Sequence, residues 1–198
     1  AYTEFGVPSI SAYEDLEKII PKEELCIPIA RTPAWIAHHG FDAWGKHRWL
    51  CQDVLSMYFG EPETVQDLVK QSEWLQCEGY RGAFEEMRRQ WPHCSMGINW
   101  DYNEPWITAA GNELITYPAK INPCYYYVQK AMRPTLFSAK IPKFDWKEGE
   151  TFEAELWLLN DAPAAVCGKV HVTAKVGDET FDLLEWSAET DANSHKRG

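Results

Sequence analysis

Two stretches of the 198-residue chain gather side chains able to do acid–base or nucleophilic chemistry. Glu4 stands at the end of a short opening run, followed by Phe5-Gly6. Asp101 and Glu104 follow a second short run that ends at Trp100, and Tyr102, Asn103 and Trp106 lie beside them. Carboxylates among tryptophans suit cleavage of a glycosidic bond. One carboxylate attacks the anomeric carbon or activates water, another protonates the leaving oxygen, and aromatic rings stack on the C–H face of a sugar. Two plain alternatives stay open: a solvated or helix-capping role for Glu4, and core packing for the Trp100–Trp106 cluster.

The histidines point less clearly to chemistry. His38 and His39 are adjacent, so their side chains diverge, and neither they nor His47 show the H-E-x-x-H spacing of a metal site. Hydrogen bonds to loop neighbours are the plain reading, and contact with a sugar hydroxyl is the functional one, chiefly for His38. Cysteines 26, 51, 77, 94, 124 and 167 form no C-x-x-C pair, so packed, reduced thiols are expected, with disulfides optional. A Gly-rich phosphate loop and a G-x-S-x-G elbow are both missing, which argues against nucleotide binding and serine hydrolysis. No cofactor and no metal are expected.

Charge and composition narrow the partners. Nineteen Lys and Arg against 30 Asp and Glu give a net charge of -11, which repels phosphate backbones, so nucleic acid is not expected as a partner. A membrane-spanning run of about 18 apolar residues is also missing. Ten tryptophans and 14% aromatic residues exceed what a core of this size needs and suit a flat or sugar-like ligand. The compartment is left open.

Positioning such side chains requires a scaffold, and periodicity supplies one. Residues 1–6 read as a buried strand. Ser11-Ala-Tyr-Glu14 fits a capping box that opens a helix from Ala12 to Ile20, stopped by Pro21. Residues 27–45 lack periodicity and read as a long functional loop holding Trp35, His38, Phe41 and Trp44. A helix is expected from Lys46 to Phe59, closed by Gly60, and a longer one from Val65 to Pro92, with Arg81, Arg88 and Arg89 on a solvated face paired with Glu78, Glu85 and Glu86. Cys94–Trp100 reads as a second buried strand. Asn122-Pro123 reads as an N-cap and first-turn pair for a helix to about Met132. After Pro134 the pattern alternates: Thr135–Ile141, Thr151–Asn160, Lys169–Val176 and Thr180–Trp186 are strands, the last two joined by a Gly177-Asp178 hairpin turn. Residues 187–198 are polar and read as loose.

Several of these residues resemble glycoside hydrolase family 2, in particular its β-mannosidases and related exo-acting enzymes. Thr3-Glu4-Phe5-Gly6-Val7-Pro8-Ser9 is similar to the family's S-E-F-G-x-x-S segment. Gln76-Cys-Glu78-Gly-Tyr80, Phe84-Glu-Glu-Met-Arg88-Arg89, Pro92-His-Cys-Ser95-Met-Gly97 and Trp100-Asp-Tyr-Asn-Glu-Pro-Trp106 resemble the last helix and strand of the catalytic barrel. Asn122-Pro123-Cys-Tyr125-Tyr126 resembles the closing helix, and Glu155-Leu-Trp157-Leu-Leu-Asn160-Asp161 the first strands of the following Ig-like domain.

The resemblance implies α/β followed by all-β: residues 1–134 as the C-terminal part of a TIM (β/α)8 barrel, and 135–198 as a partial immunoglobulin-like β-sandwich. It implies a retaining exo-β-glycosidase with Glu4 as nucleophile and Trp100, Asn103 and Trp106 at the subsite of the terminal sugar. Trp35 and His38 join that set from the loop. The family's acid/base glutamate follows an Asn on an earlier strand with no counterpart here. Glu104 follows Asn103 but sits after the last strand, so a structural or subsite role is expected for it. Both ends read as cuts, so the chain is expected to be a fragment, inactive alone, with exposed edges that self-associate. A non-catalytic carbohydrate-binding module and a degenerate remnant are the competing readings.

Overall fold

The structure, a computed structural model, describes residues 1–42 and 49–198 and, within them, all side chains but that of Tyr2. Trp44, His47 and the expected helix start at Lys46 lie outside the described residues. The chain divides into two compact units, residues 1–84 with 96–130, and residues 85–95 with 131–198.

The first unit opens with strand β1 (Tyr2–Phe5) and the two-residue β2 (Ser9–Ile10), followed by helices α1 (Tyr13–Ile19), α2 (Pro33–Ala37) and α3 (Gln52–Phe59). The long helix α4 (Val65–Arg89) begins in this unit, and its last turn, from Glu85, belongs to the second. Then come β3 (Gly97–Asn99), the short pairs β4 (Ala110–Gly111), β5 (Ile115–Thr116) and β6 (Lys120–Ile121), and helix α5 (Pro123–Ala131). Strand β1 pairs with β3 in parallel, the geometry of two strands joined through intervening helices. Leu16, Trp35, Leu50, Leu55 and Leu68, all at 0% exposure, form the centre of the core.

Several local expectations give way to tertiary contacts. The capping box does not form: Ala12 precedes α1, and the Ser11 hydroxyl donates instead to Thr108 O at 2.7 Å. The 27–45 loop contains α2, with Pro33 in the first turn where its missing N–H costs nothing. Both opening strands are shorter and barer than expected, since Thr3, Glu4 and Ile98 are exposed. Asn122 and Pro123 do open α5 as expected, while the Asn122 amide turns inward to donate to Gln76 Oε1 (3.1 Å) and Glu113 O (3.2 Å).

The second unit holds β7 (Thr135–Lys140), β8 (Glu155–Asn160), β9 (Val166–Val176), β10 (Glu179–Thr190) and β11 (Ser194–Arg197). Strands β7, β8 and β11 form an antiparallel sheet with β8 central, and β9 pairs with β10 around Gly177, whose φ of 61° suits the expected tight turn. Val170, Val172 and Ala174 share the more covered face of β9. Residues 187–198 are mostly strand rather than loose, because β11 caps the open edge of β8. Fully buried Asn160 fixes the turns at that end: its amide donates to Ala164 O and Asp191 O, both at 2.9 Å, and its Oδ1 accepts from Ala162 N at 3.1 Å. Trp91 is half-exposed. None of the six cysteines is joined in a disulfide among the described residues.

The expected solvated Arg/Glu face on α4 is corrected at its end. Arg89 and Glu85 have side chains only 5% and 6% exposed and pair at 2.9 Å, with the Ser138 hydroxyl donating to Glu85. Removing one member of a buried pair strands the other's charge. Arg89→Met should therefore cost about 3–5 kcal/mol in urea unfolding of the 198-residue chain, and adding Glu85→Leu should restore most of that loss.

Candidate active site

Parallel pairing brings the C-terminal ends of β1 and β3 to one edge of the first unit, where Trp100 N donates to Phe5 O at 2.7 Å. Phe5 turns into the protein, its ring 5.3 Å from Phe84 and 6.0 Å from Tyr80. Side chains alternate along a strand, so Glu4 points away from that contact, and it is exposed. At the same edge Trp100 is 46% exposed, and the next peptide, Trp100–Asp101, is cis. Gly6 is required there, because a Cβ would lie 2.6 Å from Trp100 O and 2.7 Å from the Asn112 side chain. The sequence motif thus has a steric reason: only glycine lets the chain leaving β1 pass so close to the Trp100 turn.

Helix α4 anchors this edge. Ser72, Gln76 and Tyr80, spaced four apart, form one buried stripe down the helix. The Ser72 hydroxyl accepts from Ile10 N at 3.0 Å, and Gln76 Nε2 donates toward Gly111 O at 3.4 Å. The Tyr80 hydroxyl is shared between Asn112 O and Trp100 O. Burial pushes the Tyr80 phenol well above its ordinary range, so it stays a donor.

Beyond Trp100 the segment carries Asn103, exposed and bridged in parallel to Ile115, and Trp106, 53% exposed. His39 lies edge-on to Trp106, with ring centroids 5.9 Å apart. His38 is half-buried; its Nδ1 lies 3.4 Å from Ile107 O, and its carbonyl accepts from Ala109 N at 2.6 Å. The histidine loop therefore lies against the Trp106 segment, and His38 spends its backbone and ring on that contact. Trp35 is different. It is fully buried in the core, its indole N–H turned toward Glu24 O and its ring packed under Gly40, so it has no face for a ligand and leaves the candidate sugar-contact set.

Three more carboxylates stand behind the edge. Glu104 is buried and accepts from the Thr108 hydroxyl (2.8 Å) and Tyr117 N (2.9 Å). Burial raises its pKa and that of half-buried Asp101. Glu113, 3% exposed, was not picked out from the sequence, where it is one acidic residue in a polar-looking loop. Burial, with Glu104 nearby, pushes its pKa up to about 8. Its carboxyl occupies the space over Gly111, where a Cβ would come within 2.0 Å of Oε2. Among the described residues no group of three or more His, Cys, Asp or Glu side chains converges to hold a metal, and no helix is long and apolar enough to cross a membrane.

No family model matches the chain, and no curated protein matches it in sequence. Solved structures do. A β-D-mannosidase from Dictyoglomus thermophilum is similar over 98% of this chain, at a TM-score of 0.77 and 19% identity. The exo-chitosanase CsxA from Amycolatopsis orientalis is similar over 98% at a TM-score of 0.72 and 19% identity. A variant of that enzyme in complex with PNP-β-D-glucosamine is similar over 99%, at 0.75 and 18%. The chain spans only 22% of the mannosidase and 23% of the exo-chitosanase. At these identities the likeness is one of fold: the mixed helix-and-sheet fold here is that of part of these larger glycosidases.

Glu113 generates a pH dependence. In the unfolded chain its carboxyl ionises near its ordinary value of 4.5, whereas the folded chain holds the proton to about 8. Between those values the folded state binds more protons, so stability falls as pH rises through the window and is fully reduced above it. Glu104 and Asp101 shift in the same direction. Thermal melts from pH 4.5 to 8.5 should show a falling midpoint, worth on the order of a few kcal/mol, and Glu113→Gln should flatten most of the slope.

Proposed function

We propose that these residues are part of a retaining exo-β-glycosidase of family 2 type, acting on terminal β-mannosides or β-glucosaminides, with Glu4 as the nucleophile. One observation carries the reading: parallel β1 and β3 end together, so the exposed Glu4 and the half-exposed Trp100 share an edge in a chain with the fold of such enzymes. On this reading β1 and β3 are neighbouring strands of a (β/α)8 barrel, α5 is its closing helix, and residues 135–198 are part of an Ig-like sandwich. Active-site side chains in such barrels project from the C-terminal strand ends.

In the mechanism, Glu4 attacks the anomeric carbon as the glycosidic C–O bond breaks and the acid/base protonates the departing oxygen; water, deprotonated by that same residue, then attacks the glycosyl-enzyme ester and releases Glu4. Trp100 and Trp106 offer faces for the sugar's C–H side, and Asn103 offers an amide for a hydroxyl. A retaining pair needs its carboxyls about 5–5.5 Å apart. Glu104 does not suit the acid's role, since its oxygens are engaged by Thr108 and Tyr117. We assign the acid/base to a glutamate outside these 198 residues, which leaves the chain inactive alone.

Two measurements test this. The 198-residue chain should not turn over aryl β-mannoside or aryl β-glucosaminide; turnover abolished by Glu4→Gln would overturn the assignment of the acid/base. In a longer protein containing these residues, a 2-fluoro-glycoside should label the Glu4 peptide by mass spectrometry. There Glu4→Gln should lower kcat about 10³-fold or more, equivalent to about 4 kcal/mol of transition-state stabilisation. Unlabelled Glu4 in an active enzyme, or sugar binding without any turnover, would favour the binding-module reading.

A further inference from the structure

Helix α3 carries apolar side chains that do not enter the core. Leu55, at 0% exposure, ties the helix to the core of the first unit, while Val54, Met57 and Tyr58, at i, i+3 and i+4, form a stripe that stays exposed, with Met57 at 80%. A surface helix ordinarily turns polar residues outward. The stripe continues onto α4 through ring contacts: Tyr58 and Phe59 have centroids 6.4 Å apart, and Phe59 meets Trp74 at 5.4 Å and 86°. Phe59 and Trp74 are exposed as well. The five side chains make one patch across two helices, and a contiguous exposed apolar patch marks an interaction surface where scattered single residues do not.

The patch has an acidic border. Asp53 precedes Met57 by one turn, and Glu61 and Glu63 lie in the connection from Phe59 to α4; all three are exposed, and none is in an ion pair among the described residues. From Cys51 to Trp74 the acidic residues are Asp53, Glu61, Glu63, Asp67 and Glu73, against Lys70 alone.

These features select the occupant. The Phe59 and Trp74 rings stand edge to face, so the row gives a sugar chain no common plane on which to lie. Unpaired carboxylates repel phosphates and anionic lipid, and a second copy would set the same carboxylates against themselves. Helices α3 and α4 spend their backbone groups internally, so an extended segment would find no strand edge here and would lay unpaired N–H and C=O groups on apolar rings. A helix has no such cost, and its apolar face can pack across α3 and α4.

We propose that this patch docks a basic amphipathic helix of a partner protein, its apolar stripe on Met57, Tyr58, Phe59 and Trp74 and its flanking Lys or Arg side chains facing Asp53, Glu61 and Glu63. The inference is independent of the chemistry assigned to Glu4.

The test titrates the 198-residue chain into a fluorescently labelled Leu/Lys peptide of about five helical turns, its leucines at i, i+3, i+4 and i+7, and follows anisotropy. The controls are a Leu/Glu peptide of the same pattern and a Leu/Lys peptide of the same composition whose leucines do not align. The patterned Leu/Lys peptide should bind saturably and at least tenfold more tightly than either control. Met57→Ala with Tyr58→Ala, both at exposed positions, should weaken it at least tenfold with the far-UV circular dichroism unchanged. Glu61→Lys with Glu63→Lys, which keeps every apolar contact, should weaken it about fivefold or more, whereas Glu179→Lys with Glu189→Lys, the same change of charge in the second unit, should not. The proposal is overturned if the patterned peptide does not bind, if either control peptide binds as well, or if the Met57/Tyr58 variant binds like wild type. It is also overturned if the two charge reversals act alike, if neutral phosphatidylcholine vesicles compete for the patch, or if sedimentation shows a dimer that Met57→Ala with Tyr58→Ala dissociates.

Discussion

The edge of the first unit where β1 and β3 end depends on one side chain, Tyr80, whose hydroxyl serves the carbonyls of both Trp100 and Asn112. Irregular backbone can be buried only when its polar groups find partners, and the turns on either side of Gly6 have no sheet to supply them. Helix α4 does so instead. Ser72, Gln76 and Tyr80 project from one face at four-residue intervals, and each meets backbone from the β2, β4 or Trp100 segments. A helix is the stiffest element available, so hanging the loops from it fixes their geometry without a long strand ladder. Gly6 is the reciprocal half of the arrangement, because any side chain there would push β1 away from the turn that Tyr80 holds.

That stripe also explains what was legible in the sequence. Hydrophobic periodicity and capping signals located α1, α4, α5 and strands β7 to β10 to within about four residues. The Thr3–Ser9 and Trp100–Trp106 segments meet where parallel β1 and β3 end, with Trp100 N donating to Phe5 O. What failed did so where a distant partner outcompeted a local one. Ser11 is a good capping residue by its neighbours but bonds to Thr108, 97 positions away. The ring of Tyr80 packs like an apolar side chain, and only the fold shows where its hydroxyl goes. Trp35 looked available because it sits among prolines and histidines, yet those loop residues cover it. Residues 187–198 looked loose because an exposed edge strand such as β11 needs few apolar residues to pair with β8.

Burial sorts the acidic residues near the edge into different chemical roles. Glu113 is enclosed and holds its proton to about pH 8, so near neutrality much of it is a neutral hydrogen-bonding group rather than an anion. A neutral Glu113 is spared the repulsion that its charged form would meet from Glu104 and Asp101. Glu104 is ionisable but committed, its oxygens engaged by Thr108 and Tyr117. Glu4 is exposed at a strand end, whereas Glu104 and Glu113 are buried, so of the three it is the one a substrate could reach on the proposed reading. Composition alone ranks Glu4 no higher than its acidic neighbours. Their burial removes them from contention, and it does so through the same packing against α4 that holds Trp100 in place.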